Sequence, residues 1–234
     1  MSDPNQIKPD LPIPKRRSQT LAAIKDAAKR ANRSSEITLV AVSKVQPDER
    51  IKAMLEAGQK VFGENRVQEA VTRWGNTFAS QRAGLTLHLI GPLQTNKAQD
   101  AVKLFDVIET VDREKLLKAL VKACETTGRA MPRLYVQVNT GEEEQKSGVL
   151  PANLPAFLKI MRESYGLAPE GLMCIPPADE AASAHFWFLR NLARDNSVAK
   201  LSMGMSADFE TAVELGATSV RVGSALFGAR IIQA

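Results

Sequence analysis

Apolar residues along this chain fall into two alternating patterns. Short unbroken runs of β-branched and aliphatic residues read as strands buried on both faces, as in a parallel sheet; Ile37-Thr38-Leu39-Val40-Ala41-Val42 is the clearest. Longer stretches repeat apolar residues every three or four positions and read as amphipathic helices. Leu116, Leu117, Leu120, Val121 and Cys124, for example, share one helical face. Strands are predicted at residues 38–43, 60–63, 87–90, 107–110, 134–138, 171–174, 200–202 and 219–222. Helices are predicted at 18–33, 48–57, 65–74, 96–104, 112–126, 152–164, 179–194 and 208–215. Several open on Asp or Asn, and Gly58, Gly128 or Gly216 stands just beyond the end.

An uninterrupted strand–helix alternation of this length predicts a closed (β/α)8 barrel, a TIM barrel, over residues 18–234. A doubly wound open sheet is the alternative, but no GxGxxG follows the first strand. Residues 1–17, MSDPNQIKPDLPIPKRR, hold four prolines and no apolar run, and are expected to form a loose tail rather than a signal peptide or anchor.

Charge narrows the function classes. The formal net charge is +5, yet the first 33 residues hold eight basic and three acidic side chains, leaving 23 of each sign in the body. A neutral body argues against a nucleic-acid partner, and no apolar run is long enough for a membrane span. Cys124 and Cys174 have no metal-ligand or CxxC spacing and read as core thiols of a cytoplasmic protein.

In a barrel, functional residues gather at the C-terminal ends of the strands. Here those ends carry Lys44, Gly63-Glu64-Asn65-Arg66, the run from Gly91 to Lys97, Asn139, Ile175-Pro176-Pro177, the run from Ser202 to Ser206, and Arg221-Val222-Gly223-Ser224. Lys44 follows a buried strand and precedes Gln46-Pro47-Asp48, so it is expected at the rim of a core. Partial desolvation there raises the share of neutral amine able to attack an aldehyde. Its alternative is a lysine snorkelling to water, and Lys97 is a rival at the opening of a helix. Ser206 precedes a predicted helix and Gly223-Ser224 offers backbone amides, so strands seven and eight are expected to cradle a phosphate. An amine on strand one and a phosphate cradle on its neighbour point to a ligand with both an aldehyde and a phosphate: pyridoxal 5′-phosphate.

A resemblance supports this ligand. The runs AVSK, FGENRVQE, HLIGPLQTNK, GLMCIP and LSMGMSADFETAVELGATSVRVGSALFGAR occur in order between Leu39 and Arg230 and resemble the pyridoxal phosphate homeostasis protein family. That family has a barrel of the alanine racemase N-terminal type. The resemblance implies a Schiff base between Lys44 and the cofactor, phosphate contacts at Ser206, Gly223 and Ser224, and Arg221 facing the pyridine nitrogen. It also implies Asn65 and Met203 near the ring. The sequence departs from the family in having Val45-Gln46-Pro47 where Thr-Lys-Pro is common, and in its longer N-terminal tail. Lys146 fits a family loop lysine, with a solvated lysine beside acids as the alternative.

Racemisation needs a second base opposite the lysine, which the racemases take from another domain. Neither Tyr135 nor Tyr165 stands in a strand-end motif, and an arginine at the pyridine nitrogen weakens the ring as an electron sink. The expected role is therefore a monomeric carrier or buffer of pyridoxal phosphate, with apo forms of the enzymes that use it as candidate partners. A monomeric racemase-like enzyme, and a sugar-phosphate barrel enzyme using Lys44, are the alternatives.

Overall fold

The apolar runs form a closed parallel barrel in the computed structural model, which describes residues 11–228. Its strands are β1 (Thr38–Val42), β2 (Val61–Glu64), β3 (Thr86–Leu89), β4 (Val107–Val111), β5 (Arg133–Gln137), β6 (Gly171–Met173), β7 (Lys200–Ser202) and β8 (Ser219–Val222). Closure decides between the two architectures predicted, because only a barrel pairs the first strand with the last. Here Val40 lies opposite Arg221, and Ala41 opposite Val222. The segments that follow β1 and β8 thereby become neighbours, although about 180 residues separate them.

Side chains alternate across each strand and so divide into two layers. Leu39, Leu87, Ile108, Val136, Leu201 and Val220 point outward into the apolar core beneath the helices. Fully burying one such side chain stabilises the fold by about 1.5–3 kcal/mol. Inside the barrel, Val107, Tyr135 and Met173 pack as a separate apolar cluster. Buried polar residues lie on the same inward face: His88, Glu109, Ser202 and Arg221.

The connecting helices are α2 (Asp48–Glu56), α3 (Val67–Thr72), α4 (Ala98–Leu104), α5 (Glu114–Thr127), α6 (Leu154–Tyr165), α7 (Ala182–Asp195) and α8 (Phe209–Glu214). They follow α1 (Ile13–Arg30) and precede a single turn, α9 (Ser224–Phe227). As predicted, Gly128 ends α5 in the left-handed conformation, at φ +64°. The turn α9 is too short to show a hydrophobic period and was not predicted.

Several boundaries differ from expectation by a few residues, and two elements differ in kind. The loose tail predicted over residues 1–17 is corrected from Ile13 onward, since α1 begins there. Pro12 stands at the N-cap and Pro14 in the first turn, where a missing N–H costs no hydrogen bond. Arg17 donates to Gln59 Oε1 at 3.0 Å and to the Gly58 carbonyl at 3.2 Å, tying this turn to the barrel. Residues 1–10 of the predicted tail lie outside the described residues. The helix predicted at 65–74 is divided: α3 ends at Thr72 and continues as a π-helical turn, Arg73–Thr77.

Candidate cofactor site

The site begins where β1 ends. Ser43, Lys44, Val45 and Gln46 make a tight turn closed by the Gln46 N–H donating to the Ser43 carbonyl at 3.1 Å. Lys44 is half-buried and lines a cavity of about 300 Å³ at the C-terminal face of the barrel. Asn65, Ser206, Arg221, Gly223 and Ser224 line the same cavity. These residues come from the ends of β1, β2, β7 and β8, which barrel closure brings together.

Ser206 reaches the cavity from the loop after β7. Gly204 turns that loop at φ +94°, and a side chain there would strike the Ala212 Cβ at 2.5 Å. Ser206 Oγ accepts the Gly223 N–H at 3.1 Å and the Ala225 N–H at 3.3 Å. With both lone pairs occupied, its own O–H has no protein partner among the described residues and acts as a donor. The start of α8, where an anion was expected, contributes less. Asp208 fills its N-cap position, and the Asp208 and Phe209 amides are bonded to the Met205 carbonyl. On this side of the cavity the Ser206 hydroxyl takes the place of the α8 terminus, with the Gly223 and Ala225 N–H groups of the α9 turn holding it in position. A Cβ added at Gly223 would make only ordinary contact with Val42, at 3.6 Å. The barrel itself therefore tolerates a side chain there, and the space belongs to the cavity.

Arg221 sits at the base, 4% exposed. It donates to Ser202 Oγ at 2.7 Å and to the Cys174 carbonyl at 2.8 Å, leaving other guanidinium N–H groups for a ligand. Beneath it the fully buried Glu109 accepts from Ser202 Oγ at 2.5 Å, meets His88 Nδ1 at 2.5 Å, and lies 3.9 Å from Arg221. Burial pushes the Glu109 carboxyl up, but His88, Arg221 and Ser202 outweigh it and hold the group below the usual carboxylate range.

Met203 is corrected. It is fully buried in the apolar core beneath the helices, and Met205, two residues on, lines the cavity instead. Ser202 points into the barrel, so Met203 must point outward, and only beyond Gly204 does the chain turn back to the rim. Ile90, Ile175 and Gln46 also line the cavity. Ile175 was within reach of the strand-end rule, whereas Gln46 is exposed to it only through the turn after Lys44.

Other strand-end residues have local roles. Lys97 Nζ donates to Gln68 Oε1 at 3.3 Å and does not line the cavity. Asn139 closes its own loop through the Glu143 carbonyl at 2.8 Å. Lys146 pairs with Glu143 at 2.5 Å. Burial pushes the Cys174 thiol up to about 12, so it stays protonated, and burial likewise raises the Tyr135 phenol inside the barrel. Tyr165 is bonded to Glu114 at 3.0 Å, away from the cavity.

An amine, a guanidinium and a hydroxyl proton facing one cavity can hold an anionic group at one end and react with a carbonyl at the other. The family model of the alanine racemase N-terminal domain matches residues 19–231. The pyridoxal phosphate homeostasis protein of Haemophilus influenzae is 37% identical over 218 residues, covering 88% of this chain and 91% of that protein. PipY of Synechococcus elongatus, solved with PLP bound, is 37% identical with a TM-score of 0.75, covering 88% of this chain and 99% of PipY. Alanine racemase of Clostridium difficile is 16% identical with a TM-score of 0.65 over 89% of this chain and 56% of the racemase, a likeness of fold. This chain belongs to the pyridoxal phosphate homeostasis protein family, whose barrel is that of the alanine racemase N-terminal domain.

Proposed function

We propose that this protein binds pyridoxal 5′-phosphate at the C-terminal face of its barrel and serves the supply of that cofactor rather than amino-acid catalysis. The observation that carries this reading is Ser206. Its hydroxyl, fixed by the Gly223 and Ala225 amides, is left as a donor in the cavity that Lys44 and Arg221 also line. Lys44 would hold the aldehyde end of the cofactor, its amine being the nucleophile for such a carbonyl. When bound, the cofactor supplies an electrophilic aldehyde and a conjugated ring. Ser206, Gly223 and Ser224 would hold its phosphate, with Asn65 and Arg221 toward the ring end.

Ser206→Ala tests the phosphate assignment. It is expected to weaken binding of pyridoxal 5′-phosphate about tenfold, as for one charge-assisted hydrogen bond, and to leave unphosphorylated pyridoxal nearly unchanged. Equal losses in titrations with the two ligands would remove the phosphate role.

Carriage is favoured over catalysis by the cavity's chemistry. Lys44 and Arg221 are the titratable side chains among its described lining residues, and a guanidinium does not act as a base near neutral pH. No second base faces Lys44 among them, so α-carbon chemistry lacks a partner worth a factor of about 10²–10⁴. The holo protein is therefore expected to exchange the α-deuterium of labelled L-alanine far more slowly than the ~1–1000 per second usual for enzymes. NMR follows the exchange directly. Exchange at tens per second that vanishes in Lys44→Ala would make the enzyme reading the better one.

In this reading the protein works as a monomer. Apo-enzymes that need the cofactor are its recipients. Cys124 and Cys174 are free thiols, which suits the cytoplasm, and no described helix is long and apolar enough to cross a membrane.

A further inference from the structure

The turn that presents Lys44 is strained. Val45 occupies its third position at φ +52°, a left-handed conformation that favours glycine and is adverse to a β-branched residue. The residue is 57% exposed, so packing of the valine itself does little to offset the strain. Such conformations persist where the surroundings over-determine them, and they concentrate at functional sites.

The surroundings here are two residues outside the cavity lining. Arg73 spans the turn: Nη1 donates to the Ser43 carbonyl at 3.2 Å and Nη2 to the Gln46 carbonyl at 3.0 Å. Glu64 secures the same unit from below, its Oε1 accepting from Ser43 Oγ at 2.7 Å, Arg73 Nη1 at 2.9 Å and Trp74 Nε1 at 3.0 Å. Glu64 is fully buried and the Arg73 side chain is 14% exposed, so water competes little for these bonds. Arg73 and Trp74 are consecutive yet bond the same oxygen. On an α-helix they would diverge by about 100°. The π-helical turn Arg73–Thr77 has more residues per turn, and its neighbouring side chains diverge less. Trp74 is held between Phe62 and Phe78, at ring separations of 4.9 and 5.5 Å.

We propose that Glu64 and Arg73 form a clamp that holds the strained Ser43–Gln46 turn and so positions the Lys44 amine for condensation with an aldehyde. They are positioning residues: they act through Ser43 and Gln46, which flank Lys44 in the turn, and not on the ligand. The inference rests on the reading of Lys44 as the aldehyde-binding residue. In the step concerned, nitrogen adds to the carbonyl carbon, the carbonyl oxygen leaves as water, and nothing is oxidised or reduced.

Two ligands separate positioning from general shape. Pyridoxal 5′-phosphate can form the C=N bond, whereas pyridoxine 5′-phosphate has the same ring and phosphate but an alcohol in place of the aldehyde. Arg73→Gln is expected to weaken the aldehyde on the order of tenfold, the scale of lost charge-assisted hydrogen bonds, and the alcohol by no more than about twofold. Arg73→Lys, which keeps the charge but not the fork, should fall between. In a Val45→Gly background the Arg73→Gln loss should shrink, because glycine adopts the turn without restraint. Ser43→Ala, which removes a single hydroxyl, should show the same selectivity at smaller size and serves if Arg73→Gln does not fold. Equal losses for both ligands, or an unchanged affinity for the aldehyde, would overturn the clamp. If the wild-type protein itself binds aldehyde and alcohol equally, the covalent role of Lys44 fails first and takes the clamp with it.

Discussion

Lys44→Ala is expected to abolish the reducible attachment of pyridoxal 5′-phosphate completely while leaving the barrel folded. Lys44 is half-buried in a turn beyond the end of β1 and is the lysine among the described lining residues. Lys97 and Lys146 do not line the cavity and are engaged with Gln68 and Glu143. Borohydride treatment of the wild-type holo protein should therefore leave a pyridoxyl mass on the peptide containing Lys44, and the variant should carry none. The phosphate contacts proposed at Ser206 and around Gly223 do not involve Lys44, so weak, non-covalent binding should persist and should still depend on the phosphate. Truncating a partly exposed side chain changes stability by roughly 0.5 kcal/mol or less, so unfolding curves of the apo proteins should nearly coincide. A label found on Lys97 or Lys146 with Lys44 unmodified would end the assignment.

Removing Glu109 is expected to produce the largest loss of stability. Its carboxylate is fully buried inside the barrel, bonded to His88 and Ser202 and 3.9 Å from the buried Arg221. Glu109→Ala leaves Arg221 as a buried positive charge without its nearest counter-charge, and it opens a void in a close-packed interior. Breaking a buried pair in this way costs about 3–5 kcal/mol, which lowers Tm by roughly 6–20 °C in a chain of this size. Glu109→Gln keeps the shape and should cost less. The pH dependence follows from the direction of the shift. Because the folded pKa lies below its unfolded value of about 4.3, Glu109 contributes stability that is present above that value. It is lost as pH falls through the folded pKa. Urea unfolding of the apo proteins should therefore show a smaller loss between pH 7 and pH 4 in Glu109→Gln than in wild type. If Glu109→Ala unfolds within about 1 kcal/mol of wild type at pH 7, the network does not stabilise the barrel in the way described.

The pairing of Glu109 with Arg221 also bears on the site. Ser202 connects them, donating to Glu109 and accepting from Arg221. Arg221 is thereby fixed from the side away from the ligand. The same arrangement keeps the acidic group behind the arginine and out of the described cavity lining.

The architecture and the outline of the site could be read from the order of residues alone. Parallel barrel strands are buried on both faces, so they leave continuous apolar runs, and their C-terminal ends follow directly. Lys44, Asn65, Ser206, Arg221, Gly223 and Ser224 emerged in this way and share one cavity. The tertiary structure alone placed Met205 rather than Met203 at the cavity, because the left-handed turn at Gly204 brings the chain back to the rim after Met203 has pointed outward. It likewise decided where α1 begins, since prolines that suggest a loose tail also suit the first turn of a helix. The clamp on Lys44 and the network beneath Arg221 left no local signal. Glu64 and Arg73 meet Ser43 across 21 and 30 residues, and Glu109 meets Ser202 across 93. A periodic pattern reports which face of an element is buried, but partners of a buried polar group on that face exist only once the barrel closes and brings distant strands together.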